Sequence, residues 1–167
     1  MTTNVAMRSL NVKYGPPKYL VADATSHDFY QIQDLADQCG LPAPSFERLF
    51  NYADTGGCWV KVAMEADDHE GPVSAEILGY ILYDQEDRTV VLRQIAVHPD
   101  HRLKGVGSEM FDRLAMECVI ESNARDVIAG ADTELPCGLE FLNSIGFCCY
   151  ALTEDGKVVM GRPISLP

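Results

Sequence analysis

The chain has 167 residues, of which 47% are hydrophobic and 23% charged, a composition that indicates a globular protein rather than a disordered or fibrous one. The formal net charge of −12 excludes nucleic acid as an expected partner and favours a cationic small molecule or a basic peptide, although solubility explains the charge equally well. No apolar run approaches the ~20 residues of a membrane span, and the N-terminal residues lack a secretory pattern. We therefore expect one cytoplasmic domain over residues 1–167 without membrane association.

The first half of the chain alternates from helical to strand periodicity. Residues 1–17 read as an N-terminal arm, and Ser26 or Asp28 could cap the first helix, which Gly40 would end. In chain order the sequence predicts a strand over 18–25, helices over 28–40 and 44–57, and strands over 58–66, 76–87 and 88–99. The last three strands would pair as an antiparallel meander.

The second half of the chain alternates helices and strands. The sequence predicts a helix over 108–123, a strand over 125–132, a helix from Pro136 to Gly146, and a closing hairpin around Asp155 and Gly156. The fold class is therefore α/β (α+β), with a mixed but mostly antiparallel twisted sheet of about seven strands and about four helices on both faces. The strand–helix–strand stretch over 90–131 would be its parallel unit.

The join between the strand over 88–99 and the following helix is basic and rich in glycine. A helix start presents unpaired N–H groups and the positive end of the helix dipole, and glycines let a backbone approach a phosphate closely. Arg102 and Lys104 add positive charge beside Gly105 and Gly107. The P-loop pattern is absent and the third glycine of a dinucleotide fingerprint is Met110, so the join predicts an anion site of another kind.

Two short motifs identify a family. The segment Arg102-Leu103-Lys104-Gly105-Val106-Gly107, preceded by Ala96-Val97-His98-Pro99, resembles the acetyl-CoA-binding motif of the GNAT superfamily of N-acetyltransferases. The segment "FLNSIGF" near the end is similar to the family's "FYEKLGF", and the resemblance in element order extends from Lys18 over nearly the whole chain. It implies a GNAT-like fold and acetyl-CoA as the co-substrate.

The resemblance also implies where the cofactor lies. Main-chain groups of Ile95, Ala96 and Val97 would bond the pantetheine arm at a splayed strand edge, and the Val97 N–H would donate to the developing oxyanion. Arg102 and Lys104 would flank the pyrophosphate. The amides that would hold it are those of Leu103, Lys104, Gly105, Val106, Gly107 and Ser108.

The catalytic acid and base are not implied by the resemblance, because Leu142 stands where the family carries its proton-donating tyrosine. From the residues alone, Tyr80, Tyr83 and Tyr150 are candidate acids, and Tyr83 and Tyr150 are the two that we predict as catalytic. Glu76, Asp84 or water could take the proton of the amine. Cys137 lies near the expected leaving group, but we interpret it as a thiol of the hydrophobic core.

A metal site is not expected. His98 and His101 have a spacing that resembles a metal site, but Pro99 between them indicates a turn and no further ligand cluster accompanies them. The six cysteines form no CxxC pair, so buried thiols are expected rather than zinc or a disulfide framework.

The sequence therefore predicts an N-acetyltransferase that moves an acetyl group from acetyl-CoA to a primary amine by direct attack in a ternary complex. The acceptor would be a small cationic metabolite or a protein amino group. The alternative is a non-catalytic acetyl-CoA-binding module that regulates a protein partner, which the absence of the tyrosine at Leu142 favours. The sequence leaves the oligomeric state open; a homodimer is one alternative, because sheet edges in such folds often pair.

Overall fold

The computed structural model describes residues 18–50, 59–66, 76–132 and 136–165, with the side chains of 131, 132, 136 and 137 left out. The strands are β1 (Tyr19–Asp23), β2 (Trp59–Glu65), β3 (Gly79–Glu86), β4 (Thr89–Val97), β5 (Asp126–Asp132), β6 (Cys148–Leu152) and β7 (Lys157–Pro163). The helices are α1 (Phe29–Gln38), α2 (Phe46–Phe50), α3 (Val106–Ser122) and α4 (Pro136–Ser144). Short 3-10 turns over Ser26–Asp28 and Pro99–His101 precede α1 and follow β4.

All seven strands form one sheet in the order β1-β2-β3-β4-β5-β7-β6. Among the described strands, only β4 and β5 pair in parallel, and α3 is the crossover between them; the other neighbouring strands are antiparallel. The predicted mixed, mostly antiparallel sheet of seven strands with four helices is confirmed. The meander of β2, β3 and β4 and the closing hairpin of β6 and β7 are confirmed with it.

The hydrophobic core has two layers because helices cover both faces of the sheet. On one face α3 and α4 pack on alternate residues of the strands, including Ile81, Val90, Val127 and Met160. On the other face α1 and α2 cover β2, β3 and the end of β4, where Tyr80 and Ala96 are buried with the helix residues. The period of two along each strand therefore sends adjacent residues to different helix pairs.

The start of α1 differs in detail from the prediction. Asp28 occupies the N-cap position of α1, as one of the two predicted alternatives, but its side chain does not cap the helix; its carboxylate accepts from both the N–H and the hydroxyl of Thr25, at 2.7 and 3.0 Å. These bonds belong to a capping box around the 3-10 turn over Ser26–Asp28, and the N–H of Asp28 donates back to the carbonyl of Thr25 at 3.0 Å. Further along, the hydroxyl of Ser45 accepts from the N–H of Arg48 and begins α2.

One charged side chain is buried beneath the sheet. Lys61 on β2 is 4% exposed and lies between two carboxylates, those of Asp23 on β1, at 2.7 Å, and Glu117 on α3. Burial alone would lower the pKa of Lys61, but hydrogen bonds to the two carboxylates outweigh it and raise this pKa above 10.5. The ion pairs tie α3 to the edge of the sheet that is formed by β1 and β2.

Several predictions fall outside the described part of the chain. They are the N-terminal arm over 1–17, the end of the second helix beyond Phe50, Cys58, and the side chain of Cys137. Of the cysteines in the described part, Cys39, Cys118, Cys148 and Cys149 are free thiols. Among the helices that the structure describes, none is long and apolar enough to cross a membrane.

Candidate functional site

The sheet opens between its two parallel strands. β4 and β5 are paired from Thr89 and Asp126 up to Leu92 and Ala129, where the pairing of these two described strands ends. At the same level Arg93 is an extra residue with no partner on β3, because Gln94 faces Leu82 and Leu92 faces Tyr83. A bulge bends the strand that carries it, so β4 turns away from β5 and a gap begins where the bulge lies.

The end of β4 presents main-chain groups to this gap. Ala96 faces Tyr80 and Val97 faces Gly79 across the antiparallel ladder, and the N–H of His98 donates to the carbonyl of Leu78 at 2.8 Å. Because hydrogen-bonded and non-bonded positions alternate in such a ladder, Ala96 bonds to β3, while the groups of Ile95 and Val97 are directed to the opposite side. The main-chain groups of Ile95 and the N–H of Val97 are therefore available to a ligand.

The loop that follows β4 is tightly shaped. His98 accepts a hydrogen bond from the N–H of Asp100 through Nδ1, at 3.2 Å, which closes the 3-10 turn. Leu103 has a φ of 60° and is fully exposed, so the chain reverses there. From the first strand the buried Tyr19 donates its hydroxyl to the carbonyl of Lys104, at 3.1 Å, across 85 positions of sequence. This bond anchors the loop to the edge of the sheet.

Gly105, before α3, and Gly107, in its first turn, are required for different reasons. Gly105 precedes α3 with a φ of 91°, a conformation that residues with a Cβ rarely adopt, and a Cβ there would meet nothing within 4 Å. Gly107 is buried, and a Cβ there would lie 2.9 Å from Cε2 of Phe141 on α4. Gly105 thus leaves open space beside the backbone, whereas Gly107 allows α3 to pack against α4.

The first turn of α3 supplies unpaired donors. The first bond of the helix runs from the N–H of Glu109 to the carbonyl of Gly105, at 3.0 Å, which leaves the N–H groups of the preceding residues without helical acceptors. Ser108 is exposed at this end, and Gly105 opens it to solvent. The site therefore combines a helix start with an open strand edge only a few residues earlier in the chain.

The two basic residues of the loop, Arg102 and Lys104, differ in their side-chain contacts. Lys104 is exposed, as the prediction of a flanking charge requires. Arg102 folds back toward the strand, where Nε donates to the carbonyl of Val97 at 3.1 Å and Nη2 donates to Sγ of Cys39 at 3.4 Å. The structure brings Cys39, at the end of α1, into a site for which the sequence suggested no such residue.

The predicted tyrosines lie in three different places. Tyr83 is buried opposite Leu92, in the part of the sheet where β4 and β5 are still paired, and not beside Val97. Tyr150 is exposed on the edge strand β6, and its ring covers Gly161 of β7. Among the described tyrosines, Tyr80 lies beside the end of β4, where its hydroxyl donates to Oε1 of Gln94 at 2.9 Å. Burial raises the pKa of Tyr80, and the neighbouring Cys39 adds to this effect.

The candidate bases are also separated. Asp84 faces Val91 and accepts from Nε of Arg93 at 2.5 Å, while its other carboxylate oxygen is buried without a hydrogen-bond partner. Glu76 is exposed just before β3. Leu142 is 5% exposed in the core under α4, so the residue at the family's tyrosine position is a packing residue.

The two histidines form a ring contact rather than a ligand set. His98 and His101 lie edge to face with their ring centres 5.6 Å apart. Within the described residues no group of three His, Cys, Asp or Glu side chains is arranged to hold a metal ion.

Comparison with known sequences identifies the family. The sequence model of the acetyltransferase (GNAT) family matches residues 26–147, which is well over half of the chain and includes the gap, the loop and the start of α3. The chain belongs to the acetyltransferase (GNAT) family. Among curated proteins, none matches this chain as a relative.

Solved structures share the GNAT fold at low sequence identity. The chain is similar to the ribosomal-protein-S18-alanine N-acetyltransferase from Escherichia coli, with 15% identity, a TM-score of 0.66 and coverage of 89% of this chain and 96% of that one. It is similar to the spermidine N-acetyltransferase from Vibrio cholerae in complex with CoA and spermine, with 15% identity, a TM-score of 0.68 and coverage of 88% and 96%. It is also similar to Ard1 from Thermoplasma volcanium, with 16% identity, a TM-score of 0.68 and coverage of 90% of this chain and 100% of that one.

The family assignment confirms the predicted N-acetyltransferase class and acetyl-CoA as its co-substrate. The residues at the site fit that group on three grounds. Ile95 and Val97 are turned toward the gap, the first turn of α3 has free amides, and the space over Gly105 is open. The chain thus presents main-chain groups at two places, the edge of β4 at Ile95 and Val97 and the start of α3.

Three residues that shape the site were missed from the sequence. Tyr19, Cys39 and Phe141 contact Lys104, Val97 and Gly107 respectively. Phe141 lies within the recognised "FLNSIGF" segment, so the second motif was a signal for it. Tyr19 and Cys39 had no local signal, because each lies in an ordinary strand or helix far away in sequence.

Proposed function

We propose that this GNAT protein transfers the acetyl group of acetyl-CoA to a primary amine, either of a small cationic metabolite or of a protein, by direct attack in a ternary complex. The observation that carries the proposal is the open edge of β4, where the N–H of Val97 is directed to the gap between β4 and β5. A donor that is held by the strand and points at a developing negative charge lowers the barrier without reorganisation at the moment of reaction.

In this proposal the chain binds the two ends of the cofactor with different elements. The main-chain groups of Ile95 bond the pantetheine arm and the N–H of Val97 faces its thioester, since the carbonyl of Val97 is bonded by Arg102, while Ala96, predicted as a third contact, keeps β4 in register with β3. The amides from Leu103 to Ser108 hold the pyrophosphate, and the exposed Lys104 adds positive charge beside it. Acetyl-CoA, when bound, supplies an acetyl group that is activated as a thioester.

Solvent is the proton source that we favour. The amine must lose a proton and the thiolate must gain one, but Leu142 can do neither. Tyr83 and Tyr150, predicted as catalytic, lie away from Val97, and Asp84 is engaged with Arg93. Of the described tyrosines, Tyr80 faces Ala96 next to Val97, but it is fully buried, donates its hydroxyl to Gln94, and has a raised pKa that makes it a weaker acid. Water at the mouth of the gap is therefore proposed to carry both protons.

The acceptor is proposed to be cationic. The net charge of −12 attracts amines, which are protonated in solution, to the surface of this protein. Two similar folds belong, by their names, to a spermidine and to an alanine N-acetyltransferase, so spermidine and a peptide with an N-terminal alanine are the first amines to test. A cytoplasmic homodimer is part of the proposal, and β6, with all five residues exposed at an edge of the sheet, is a strand through which two copies could pair.

The test begins with calorimetric titration of the purified protein with acetyl-CoA and with CoA. The same protein is then incubated with acetyl-CoA and a panel of amines that includes spermidine and the alanine peptide, and acetylated products are identified by mass spectrometry. We expect saturable binding of both thioester and thiol, and turnover of at least one amine. Binding without turnover across the panel would overturn the transfer reaction, and absence of binding would overturn the site itself.

A matched pair of proline variants tests the donor. Val97→Pro removes an N–H that faces the gap, so the sheet should still form, whereas Ala96→Pro removes an N–H of the ladder with β3 and should unfold the protein. We expect Val97→Pro to bind CoA but to lower kcat by roughly 10²–10³, the loss typical of one missing oxyanion donor. A Val97→Pro protein that folds and retains the kcat of the wild type would refute the assignment.

A further inference from the structure

Two side chains from distant parts of the chain converge on one main-chain atom. The carbonyl oxygen of Val97 accepts from Nε of Arg102 at 3.1 Å and lies 3.5 Å from Sγ of Cys39. Arg102 also bonds Cys39 through Nη2, at 3.4 Å, so the three groups form a closed triangle. The triangle joins the end of α1, the last residue of β4 and the first residue of the glycine-bearing loop.

This triangle holds the peptide that follows Val97 at both of its ends. The carbonyl of that peptide is bonded by Arg102 and Cys39, and its N–H, which belongs to His98, donates to the carbonyl of Leu78 at 2.8 Å. The peptide before Val97 is held in turn by the ladder, since Ala96 faces Tyr80. With both flanking planes held, the dihedral angles of Val97, and with them the direction of its N–H, have little freedom.

The shape of the arginine suits this task better than a plain charge would. A guanidinium carries its donors in one rigid plane, so Nε and Nη2 reach the oxygen of Val97 and the sulfur of Cys39 together. An arginine that is turned back onto β4 does not direct these donors toward the start of α3. The observed contacts therefore differ from those of a phosphate ligand, which is the role that the sequence suggested for Arg102.

We propose that Arg102, with Cys39 as its second contact, is a positioning residue that sets the direction of the Val97 N–H, and that its charge is not used to bind the pyrophosphate. The proposal rests on the proposed function in one respect, namely that the Val97 N–H is the donor to the reacting carbonyl. Its effect should then appear in kcat, because the alignment of a donor matters where charge develops. Cofactor affinity should depend on it much less.

Two variants of Arg102 separate the roles because they differ in one property. In Arg102→Gln the side-chain nitrogen stands where Nε stood, at the same number of bonds from Cα, so the bond to Val97 is kept while the charge is lost. The side chain in Arg102→Met has a similar length but no hydrogen-bond donor, so both the bond to Val97 and the charge are lost. Arg88→Gln, in the exposed turn before β4, removes one positive charge at the end of this strand opposite to Val97 and is the control for net charge.

Three quantities are measured for each variant. They are the Kd for CoA by calorimetry, kcat and KM with spermidine and with the alanine peptide, and the amide chemical shifts of Val97 and His98 in the cofactor-free protein labelled with 15N. Arg102→Gln should keep kcat and both shifts close to the wild type. Arg102→Met should move both shifts and lower kcat by about 10- to 100-fold, the loss typical of a misplaced catalytic group, while Kd changes by less.

The opposite pattern would overturn the proposal. If Arg102→Gln and Arg102→Met raise the Kd for CoA equally, and neither changes kcat nor the two amide shifts, Arg102 is a phosphate ligand. The amide shifts are measured without an acetyl acceptor, so they decide the positioning role even when no amine on the panel is acetylated. A wild type without turnover would then refute the proposed function, and unchanged shifts in Arg102→Met would separately refute the positioning role.

Discussion

Gly107 is expected to be essential for the contact between α3 and α4 rather than for cofactor binding. A Cβ at this position would lie 2.9 Å from Cε2 and 3.0 Å from Cζ of Phe141, and 3.5 Å from Cγ2 of Val97. Gly107→Ala must therefore push the ring of Phe141, or the whole start of α3, away from its present place. Phe141→Leu removes the two ring atoms that would be approached most closely, and should relieve the strain.

The magnitude follows from two opposing effects. Overpacking of this kind costs roughly 1–3 kcal/mol, and replacing glycine by alanine within a helix returns at most about 1 kcal/mol. Gly107→Ala should thus lower the free energy of unfolding by about 1 kcal/mol in the wild type. In the Phe141→Leu background only the helical gain is left, so the same substitution should be neutral or stabilising, with a coupling free energy of about 1–2 kcal/mol.

Urea denaturation of the four proteins of this cycle, followed by circular dichroism, measures the coupling. Gly105→Ala is the matched control: its φ of 91° is strained for alanine, but its Cβ meets nothing within 4 Å. The loss of stability caused by Gly105→Ala should therefore be the same with Phe141 and with Phe141→Leu. Absence of coupling for Gly107→Ala, or an equal coupling for Gly105→Ala, would show that the proximity of Phe141 is not what requires a glycine at position 107.

Three further results are expected. Tyr19→Phe removes the hydroxyl that holds the carbonyl of Lys104, so unfolding should become easier by about 1 kcal/mol and the calorimetric Kd for CoA should rise, whereas Tyr30→Phe, at a residue that is 76% exposed, should change neither. Lys61→Met leaves Glu117 without its partner and should lower the free energy of unfolding, measured by urea denaturation, by about 3 kcal/mol. Because the pKa of Lys61 is raised in the folded state, the stabilisation by the wild-type lysine should be complete below pH 10.5 and should fall as the pH rises above it. A loss of this stabilisation on acidification alone would contradict the predicted sign. Burial raises the pKa of Cys118 from 9.0 to about 11, so at pH 8 iodoacetamide should label the exposed Cys148 and Cys149 well before Cys118. Peptide mass spectrometry measures the three labelling rates, and equal rates in the folded protein would contradict the burial of Cys118.

The site could be predicted only as far as it is local in sequence. The Arg102–Gly107 motif, with the strand before it and the helix after it, placed the loop correctly and the start of α3 within two residues. The proton donor could not be found in the same way, because Leu142 breaks the pattern of the family and the tyrosines are distributed over β3 and β6. Which tyrosine approaches Val97 depends on strand register, and a shift of one residue would turn each side chain to the other face.

By itself the sequence determined the order of the elements, the class of the fold and the family. Periodicity, helix-end residues and turn residues are each recognised within a few consecutive positions, so short segments such as 88–99 and 102–107 are enough to predict these properties. Only the tertiary structure decided that β4 leaves β5 at the bulge of Arg93, and that Arg102 turns back to Val97. The contacts of Cys39 with Arg102 and of Tyr19 with Lys104 span 63 and 85 positions, and such contacts exist only once the sheet has brought its strands and helices together.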